Sequence, residues 1–497
     1  MTTIKSRPRF RTSLRGAALI AGVVVAASAR PGAAWEAATT HAGLTEQAAL
    51  ASTLHERLRA QFGHPEGLFE TLTVPPEDAP ELFEVLRRLN PTHGYVPDAR
   101  GRMHALGWLV AGSVVADSPA ELAANHFFDP ASGKGLSDRT ISGWGERLNA
   151  LFRSGGIERS GSAAPAWIDD PRNPMGMAGF RDQYEKAISA RTAGERSRHL
   201  AAALLAAGAL LHVLEDMGSP SHVRDDLGAH LDRLGPDAGD LGSRFERVAA
   251  LAYGRLGVPA AARPIIGENA RGGRPLRDFF TAKDRSGLAD QTSASWFSAS
   301  TLPRSINLGG DPHAALTERL PAALVRPSPA PPTGVRGLDL EGAAADDNGV
   351  ELSDKRGVCL ARYRVIDNRL SWFIDDACAL EQVGAILPVV GSYAAGMLDT
   401  LFRGSLSLES EGGPVLVRAG AVDLGRGKLS IYWDDATGVR TVLKQVTVES
   451  TAAGQVVAAV TGVPAGARRV SVLFDGTDAA SQLLLAAGTS AYPVPAR

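Results

Sequence analysis

The stretch from Leu211 to Asp226 carries three side chains that can bind a metal ion. His212 and Asp216 are four residues apart, so on a helix they lie on one face, about one turn apart. His222 follows a glycine and a proline that are typical of a helix end. The apolar run AAALLAAGALL precedes these residues and has the composition of a buried helix. Imidazole and carboxylate groups suit zinc, so this stretch predicts a zinc site at the end of a buried helix.

A purely structural interpretation of the same residues is a hydrogen-bonded core histidine, which is the commoner role of a buried imidazole. Two histidines and an aspartate within eleven residues of an otherwise apolar helix are harder to explain in that way. Burying these groups without partners would cost free energy. We therefore favour the metal interpretation.

Further ligands must come from other parts of the chain. Asp117 follows an apolar segment, 103–115, that is predicted to be a buried helix, and His126 lies in the loop sequence NHFFDP. Taken alone, each candidate also has a structural interpretation. His126 could be a surface loop residue, His41 could belong to a helix cap region, and Glu246 could be a solvated helix residue.

Four blocks of sequence, taken in order, resemble the bacterial zinc-dependent phospholipases C, whose fold is shared with the zinc nucleases that cut single strands. HVLEDMGSPSH is similar to the family's His-x-x-x-Asp…Pro-x-His core, and NHFFDPASGKGL is similar to its His-Phe-Tyr-Asp-Pro segment. Trp35 followed by THAGLTEQA resembles the family's N-terminal Trp and first His, and SRFERVA resembles the helix with its last Glu ligand. These blocks extend roughly from Trp35 to Leu256, and YAAGMLDTLFRG resembles the family's final helix.

The resemblance implies two or three zinc ions, with one carboxylate bridging two of them. The implied ligands are Asp117, His126, His212 and Asp216 for the first ion, His41, the bridging Asp216 and the amino and carbonyl groups of Trp35 for the second, and His222 and Glu246 for the third. The implied catalytic residue is Asp117, which would orient or deprotonate the attacking water.

The chain departs from the family at the third ion. The family places a histidine one turn before its last glutamate, and this chain has Gly242 there. His230, Asp225 and Asp226 are candidate substitutes, and the sequence does not choose among them. The number of zinc ions, two or three, is therefore left open.

The N-terminus predicts a secretory signal. A basic region without acidic residues precedes a short apolar region, Gly16 to Ala27. Cleavage after Ala29 or after Ala34 fits the small-x-small rule, and only the second makes Trp35 the first mature residue. The alternative is an uncleaved anchor. The signal predicts a secreted or periplasmic protein.

The two cysteines, Cys359 and Cys378, predict a disulfide in an exported chain, with two buried free thiols as the alternative. The formal net charge of −2 argues against a broadly basic nucleic-acid binder. A phospholipid or membrane surface is thus the predicted partner, nucleic acid is less favoured, and no protein partner is predicted.

The length of 497 residues suits two or three domains. We predict a signal peptide over 1–34 and a mainly α zinc phosphodiesterase domain over 35–404. The latter contains a Pro/Gly-rich loop or insertion at about 303–350. Residues 405–497 contain short runs rich in Val, Leu, Ile and Thr, which predict a small antiparallel β-sandwich. No candidate ligand lies beyond Gly404, so the zinc site is expected to be complete without that domain.

The predicted function is exported, zinc-dependent hydrolysis of phosphodiesters, of the phospholipase C type, with a metal-activated water. Two alternatives were weighed. A single-strand nuclease or nucleotidase of the same fold would need an aromatic stacking slot and a cationic track. A binding protein with a decayed site would account for Gly242.

Overall fold

The computed structural model describes residues 37–89, 95–136, 161–227, 244–252, 273–302, 306–307, 324–327, 350–354, 356–366, 369–410 and 413–493. The predicted signal, Trp35, His230, Gly242 and the helix expected over 143–152 lie outside the described residues.

Helices predominate among the described residues before 404, and short single turns join several of them. The described α-helices are Ala42–Ala51 (α1), Leu54–Arg57 (α2), Pro80–Leu89 (α3), Ala105–Val115 (α4), Ala164–Trp167 (α5), Met177–Ser189 (α6), Ala193–Glu215 (α7), Arg244–Ala252 (α8), Leu276–Phe280 (α9), Leu288–Ser295 (α10) and Asp376–Leu401 (α11). Single turns that matter for the site are Ala37–His41, Ala120–His126, Asp216–Gly218 and His222–Arg224.

Three sheets accompany the helices, so "mainly α" describes the N-terminal part and not the whole chain. The strands are Thr71–Thr73 (β1), Arg102–His104 (β2), Ile306–Asn307 (β3), Leu324–Pro327 (β4), Val350–Ser353 (β5), Cys359–Ile366 (β6), Arg369–Phe373 (β7), Gly404–Glu409 (β8), Val415–Ala419 (β9), Leu424–Asp434 (β10), Arg440–Val448 (β11), Val456–Val460 (β12), Arg469–Asp478 (β13) and Leu483–Ala491 (β14). The predicted helix over 103–115 starts two residues late, because β2 pairs with β1 through residue 104.

The predicted loop over 303–350 contains β3 and β4, and β5 begins at its last residue. These strands join β6 and β7 in a five-stranded sheet of order β3-β7-β6-β5-β4. The composition of 303–350 concealed the strands, because their partners β6 and β7 lie later in the chain. The expectation of a loop is therefore wrong for residues 306–307, 324–327 and 350, whereas that of an insertion stays a prediction.

The last seven strands form one hydrogen-bonded series in the order β11-β10-β13-β14-β8-β9-β12. Its two halves are joined by a short parallel pairing in which Ala486 and Ala487 face Gly404 and Ser405. All seven strands contribute to one apolar cluster, which includes Val417 and Phe474. The antiparallel β region is confirmed, whereas its description as a sandwich stays a prediction.

Two helices are long and apolar enough to cross a membrane by length and composition. They are Ala193–Gly218, which joins α7 to the turn after it, and α11. Their most apolar windows are 100% and 83% buried against other parts of the protein. Both helices therefore form the centre of the packed helical region.

Helices α4 and α7 cross in very close contact, and two glycines permit it. A Cβ atom on Gly112 would lie 2.0 Å from the carbonyl oxygen of Leu205, and one on Gly208 would lie 1.9 Å from that of Leu109. Both distances are shorter than non-bonded atoms allow, so larger residues would push the helices apart. The crossing brings the C-terminal end of α4 against His212 on α7.

The last seven strands share a core with the helices. On the face opposite their own cluster, four side chains join the helical core, namely Tyr432, Leu473, Leu485 and Ala487. Gln61 Nε2 donates to the carbonyl oxygens of Phe402 and Gly404 at 2.8 and 2.7 Å, which fixes the entry to β8. Removing the residues after 404 would therefore expose part of the helical core.

The predicted disulfide between Cys359 and Cys378 is present, with the two Cα atoms 5.2 Å apart. It links the start of β6 to the first turn of α11. Asp375 caps this helix by accepting a hydrogen bond from the backbone N–H of Cys378 at 2.8 Å. The prediction of a disulfide is therefore confirmed.

Candidate metal centre

His212 lies near the end of α7, and Asp216 lies in the turn that follows it. The carbonyl oxygen of Ser113 can only accept, so its 2.8 Å contact with His212 Nδ1 places the proton on Nδ1. The lone pair of Nε2 then faces Asp216 Oδ2 at 3.4 Å and Asp117 Oδ2 at 3.3 Å. The spacing on the helix thus gives the shared face that the sequence predicted.

His41 enters the same cluster from the turn before α1. Its Nδ1 lies 2.7 Å from Glu215 Oε2, and the hydroxyl of Thr45 donates to Glu215 Oε1 at 2.9 Å. Its Nε2 is directed toward Asp216 Oδ1 at 3.1 Å. The ring also stacks on His212 with centroids 3.7 Å apart. These contacts fix both the position and the orientation of His41.

His126 completes the cluster from the end of the turn that follows α4. Its Nδ1 lies 3.1 Å from Asp117 Oδ1 and 3.1 Å from Asp216 Oδ2. Asp216 therefore presents Oδ1 to His41 and Oδ2 to His126 and His212. One carboxylate between two sets of imidazoles is the arrangement that a bridging ligand requires.

The facing atoms of this cluster suit a cation. His41 Nε2, His212 Nε2 and both oxygens of Asp117 and of Asp216 are buried and make no hydrogen bond within the described part of the chain. Imidazole lone pairs and carboxylate oxygens at these distances repel each other unless a cation lies between them. Two groups of three could hold a metal ion, His41 with His212 and Asp216, and Asp117 with His126 and His212. These residues therefore fit zinc.

Burial sets the protonation tendencies of the cluster. It lowers the pKa of His41 well below its usual value, and the neighbouring His212 lowers it further. Burial and the charge of Asp117 raise the pKa of Asp216 well above the ordinary range. For Asp117, burial disfavours the charged form, but His212 and His126 outweigh it, and the pKa lies well below its usual value. Asp117 is thus the carboxylate that ionises most readily here.

His222 and Glu246 form a second buried pair beside the cluster. His222 Nδ1 contacts the carbonyl oxygen of His126 at 2.9 Å, and its Nε2 lies 3.9 Å from Glu246 Oε1. Ser219 and Ser221 donate to the same Glu246 oxygen at 2.7 and 3.1 Å. Both residues are almost fully buried, at 1% and 2% exposure. The structure thus brings together the two residues implied for the third ion.

The remaining predicted positions can be placed only in part. Phe127 stacks on His222 with ring centroids 4.1 Å apart, so the expected aromatic wall lies beside this pair. Asp226 is buried and Asp225 is half-buried. Trp35 and Gly242 lie outside the described residues, so their roles stay predictions.

Two residues that were not expected from the sequence, Glu215 and Ser113, orient two of the imidazoles. Ligand histidines commonly donate their second ring N–H to a carboxylate or a backbone carbonyl. Glu215 could have been found as a second carboxylate beside Asp216 in an apolar helix, where it requires a partner. Ser113 acts through its backbone, so its residue type gave no signal.

We expect Glu215→Gln to weaken zinc binding about tenfold to hundredfold, because the amide keeps only one of the two oxygens that contact His41 and Thr45. The measurement is a zinc dissociation constant from competition with a chromophoric chelator. Glu351→Gln is the matched control, since Glu351 is also fully buried but lies beside Arg362 in the five-stranded sheet. Equal zinc affinity in the wild type and in Glu215→Gln would contradict the supporting role of Glu215.

Comparison with known proteins adds little information about this site. No family model matches the chain, and no curated protein matches it either. Among solved structures, alpha toxin from Clostridium absonum aligns over 88% of each chain, with 11% identity and a TM-score of 0.30. The alpha-toxin of an avian strain of Clostridium perfringens aligns over 92% of this chain and 98% of its own, with 10% identity and a TM-score of 0.27. Likeness at this level carries no conclusion about fold or activity.

Proposed function

We propose that the protein is a zinc-dependent phosphodiester hydrolase that acts on phospholipids by phospholipase C-type cleavage. The observation that carries the proposal is the cluster of His41, His126 and His212 around Asp117 and Asp216. Their buried donor atoms face one another within 3.4 Å. A core built only for stability would not place imidazole lone pairs against carboxylates without a cation.

Each residue of the cluster would have its own role in binding the metal or orienting the water. Asp216 would bridge two zinc ions, with His126, His212 and Asp117 on one side and His41 on the other. When bound, zinc lowers the pKa of a water molecule and neutralises charge on phosphoryl oxygens. We assign Asp117 to orient the attacking water, because its carboxylate lies in the cluster and ionises readily. Glu215 and the carbonyl of Ser113 hold two imidazoles in the tautomer that binds metal.

His222 and Glu246 are the proposed ligands of a third zinc ion, and Trp35 is the proposed terminal ligand of the second. Export to the periplasm or the exterior is part of the same proposal. The disulfide between Cys359 and Cys378 supports it, because such bonds persist mainly in oxidising compartments.

The proposal predicts at least one zinc ion per chain in protein purified from an exporting host. It also predicts hydrolysis of a chromogenic phosphocholine ester that stops when a chelator removes the metal and returns when zinc is added. Single-stranded DNA is the parallel substrate. Elemental analysis that finds less than one zinc per chain would refute the metal centre. Cleavage of the DNA without hydrolysis of the ester would show a nuclease instead, and inactivity on both would favour a binding protein.

A further inference from the structure

The series formed by the last seven strands ends at β11 on one side and at β12 on the other. On its paired side, β12 runs antiparallel to β9, with Val456 opposite Arg418 and Val460 opposite Val415. On its other side, no strand of the described part of the chain pairs with β12. The backbone N–H and C=O groups of that edge are therefore in position to pair with a further strand.

The two end strands differ in charge. β11 carries Lys444, whose side chain is exposed, and Glu449 follows directly after this strand. Charged side chains, lysine above all, keep the edge strands of natural sheets from pairing with other molecules. β12 has no such protection, since residues 451–467 contain no charged side chain, although charged residues make up 21% of the sequence. Of the two ends, β12 is thus the one suited to pairing.

The edge of β12 is accessible and already ordered. Gly454 and Gly462 flank the strand, and a Cβ atom on either of them would have no described atom within 4 Å. Val456, the first residue of the strand, is 41% exposed. Val457 and Ala458 pack against the apolar cluster of the β region, which holds the strand in place. A second strand can therefore approach β12 without a rearrangement of the turns beside it.

We propose that β12 pairs with β12 of a second copy of this chain, antiparallel and about a two-fold axis at Ala458. This register pairs all five residues of the strand. Val456 faces Val460 of the second copy, and Val457 faces Ala459 of the second copy. Cross-strand pairs of β-branched residues stabilise a sheet, and the two-fold axis forms each pair twice. The two seven-stranded series become one, with the charged β11 strands at its ends.

A second copy is the partner that an uncharged strand fits. Recognition of a different protein relies largely on complementary charges, and β12 offers none. In a two-fold pair, a charge near the axis would lie close to its own counterpart, so the absence of charge favours self-pairing. Each copy has one such edge, so association stops at the dimer. Because five paired residues make a small interface, the dissociation constant should be on the order of 10–100 µM.

Sedimentation velocity of the full chain, at concentrations on both sides of that value, measures the association. Val456→Lys should raise the dissociation constant at least about tenfold, because the introduced side chain replaces a Val–Val pair on both sides of the axis and buries a charge. Val442→Lys is the matched control, since Val442 is 53% exposed and lies on β11. Both positions are exposed, so both variants should fold, and equal melting curves by circular dichroism would confirm this.

A cysteine at the two-fold axis tests the register. The two native cysteines form a disulfide with each other, so Ala458→Cys adds the one free thiol of the chain. Directly opposed Cα atoms of an antiparallel pair lie about 4.5–5.5 Å apart, within the range that a disulfide requires. Mild oxidation should therefore convert most of Ala458→Cys into a covalent dimer. Val442→Cys, the control on β11, should stay monomeric under the same conditions.

Several results would overturn the proposal. A wild type that stays monomeric over this range would mean that another segment of the chain, or a different molecule, covers the edge. Equal dissociation constants for the two lysine variants, equal cross-linking of the two cysteine variants, or growth beyond dimers would place the association elsewhere. Association is measured without zinc and without turnover, so its outcome is independent of the proposed function.

Discussion

Replacing His212 with alanine is expected to lower hydrolysis by on the order of a thousandfold or more and to remove zinc from the purified protein. His212 faces both Asp117 and Asp216, so its loss opens both candidate metal positions. Stabilisation of phosphoryl charge by zinc is worth several kcal/mol, and about 4 kcal/mol corresponds to a thousandfold in rate. Asp216→Ala should have an equal effect, because this carboxylate faces His41, His126 and His212.

His199→Ala is the matched control for His212→Ala. His199 lies on the same helix, α7, and its Nδ1 contacts Gln183 Oε1 at 2.8 Å, away from the cluster. A second control is His64→Ala. In the wild type, His64 Nδ1 lies 3.7 Å from Glu70 Oε1. Rates on the chromogenic ester and zinc content should be measured for all four variants. Equal losses in the controls would mean that the helix has a structural role and that the activity does not come from this cluster.

The core of the candidate site could be predicted because its signal is local. His212 and Asp216 share a helix face by spacing alone, and an apolar helix without partners for them indicated a ligand role. The positions of Asp117, His126 and His41 in the same cluster came from a family resemblance and not from local physics. The structure brings these residues together, whereas their role as ligands awaits the zinc measurements.

The supporting contacts could not be predicted because they depend on how helices pack. Ser113 reaches His212 only because Gly112 and Gly208 let α4 and α7 cross in close contact. The five-stranded sheet contains strands that lie inside a segment rich in Pro and Gly. Composition identifies such a segment as a loop, while pairing with a distant strand overrides it.

The contact between the β region and the helices also could not be predicted from the sequence. The short strands of this region, rich in Val, Leu, Ile and Thr, were evident in the sequence, and one of them, Val415–Ala419, buries every second residue. Burial alone does not reveal that the opposite face of three strands, represented by Tyr432, Leu473 and Leu485, joins the helical core. We expected the zinc site to be complete without the residues after 404. Because these residues share a core with the helices, a truncated chain could lose activity through unfolding and would be a poor test of that expectation.

A point substitution at the shared interface tests that coupling directly, and Arg440→Ala is expected to lower the free energy of unfolding by about 3–5 kcal/mol. Arg440 is 8% exposed and pairs with Asp434 through two contacts of 2.6 and 2.8 Å. Its guanidinium also donates to the carbonyl oxygen of Ile188 on α6. Its backbone N–H donates to the carbonyl oxygen of Arg191 at 2.7 Å. Alanine would leave Asp434 buried, with Arg196, at 3.6 Å, as its remaining ion-pair partner among the described residues.

The matched control is Arg426→Ala, which removes a solvent-exposed ion pair at the other end of the paired strands β10 and β11. Arg426 and Glu449 are 82% and 74% exposed and 3.7 Å apart, so this loss should stay within about 0.5 kcal/mol. Guanidinium unfolding followed by circular dichroism and by tryptophan fluorescence measures both variants. If the helices and strands unfold together, the two signals should shift equally in Arg440→Ala. A loss no larger than that of Arg426→Ala would show that the β region is attached to the helices without stabilising them.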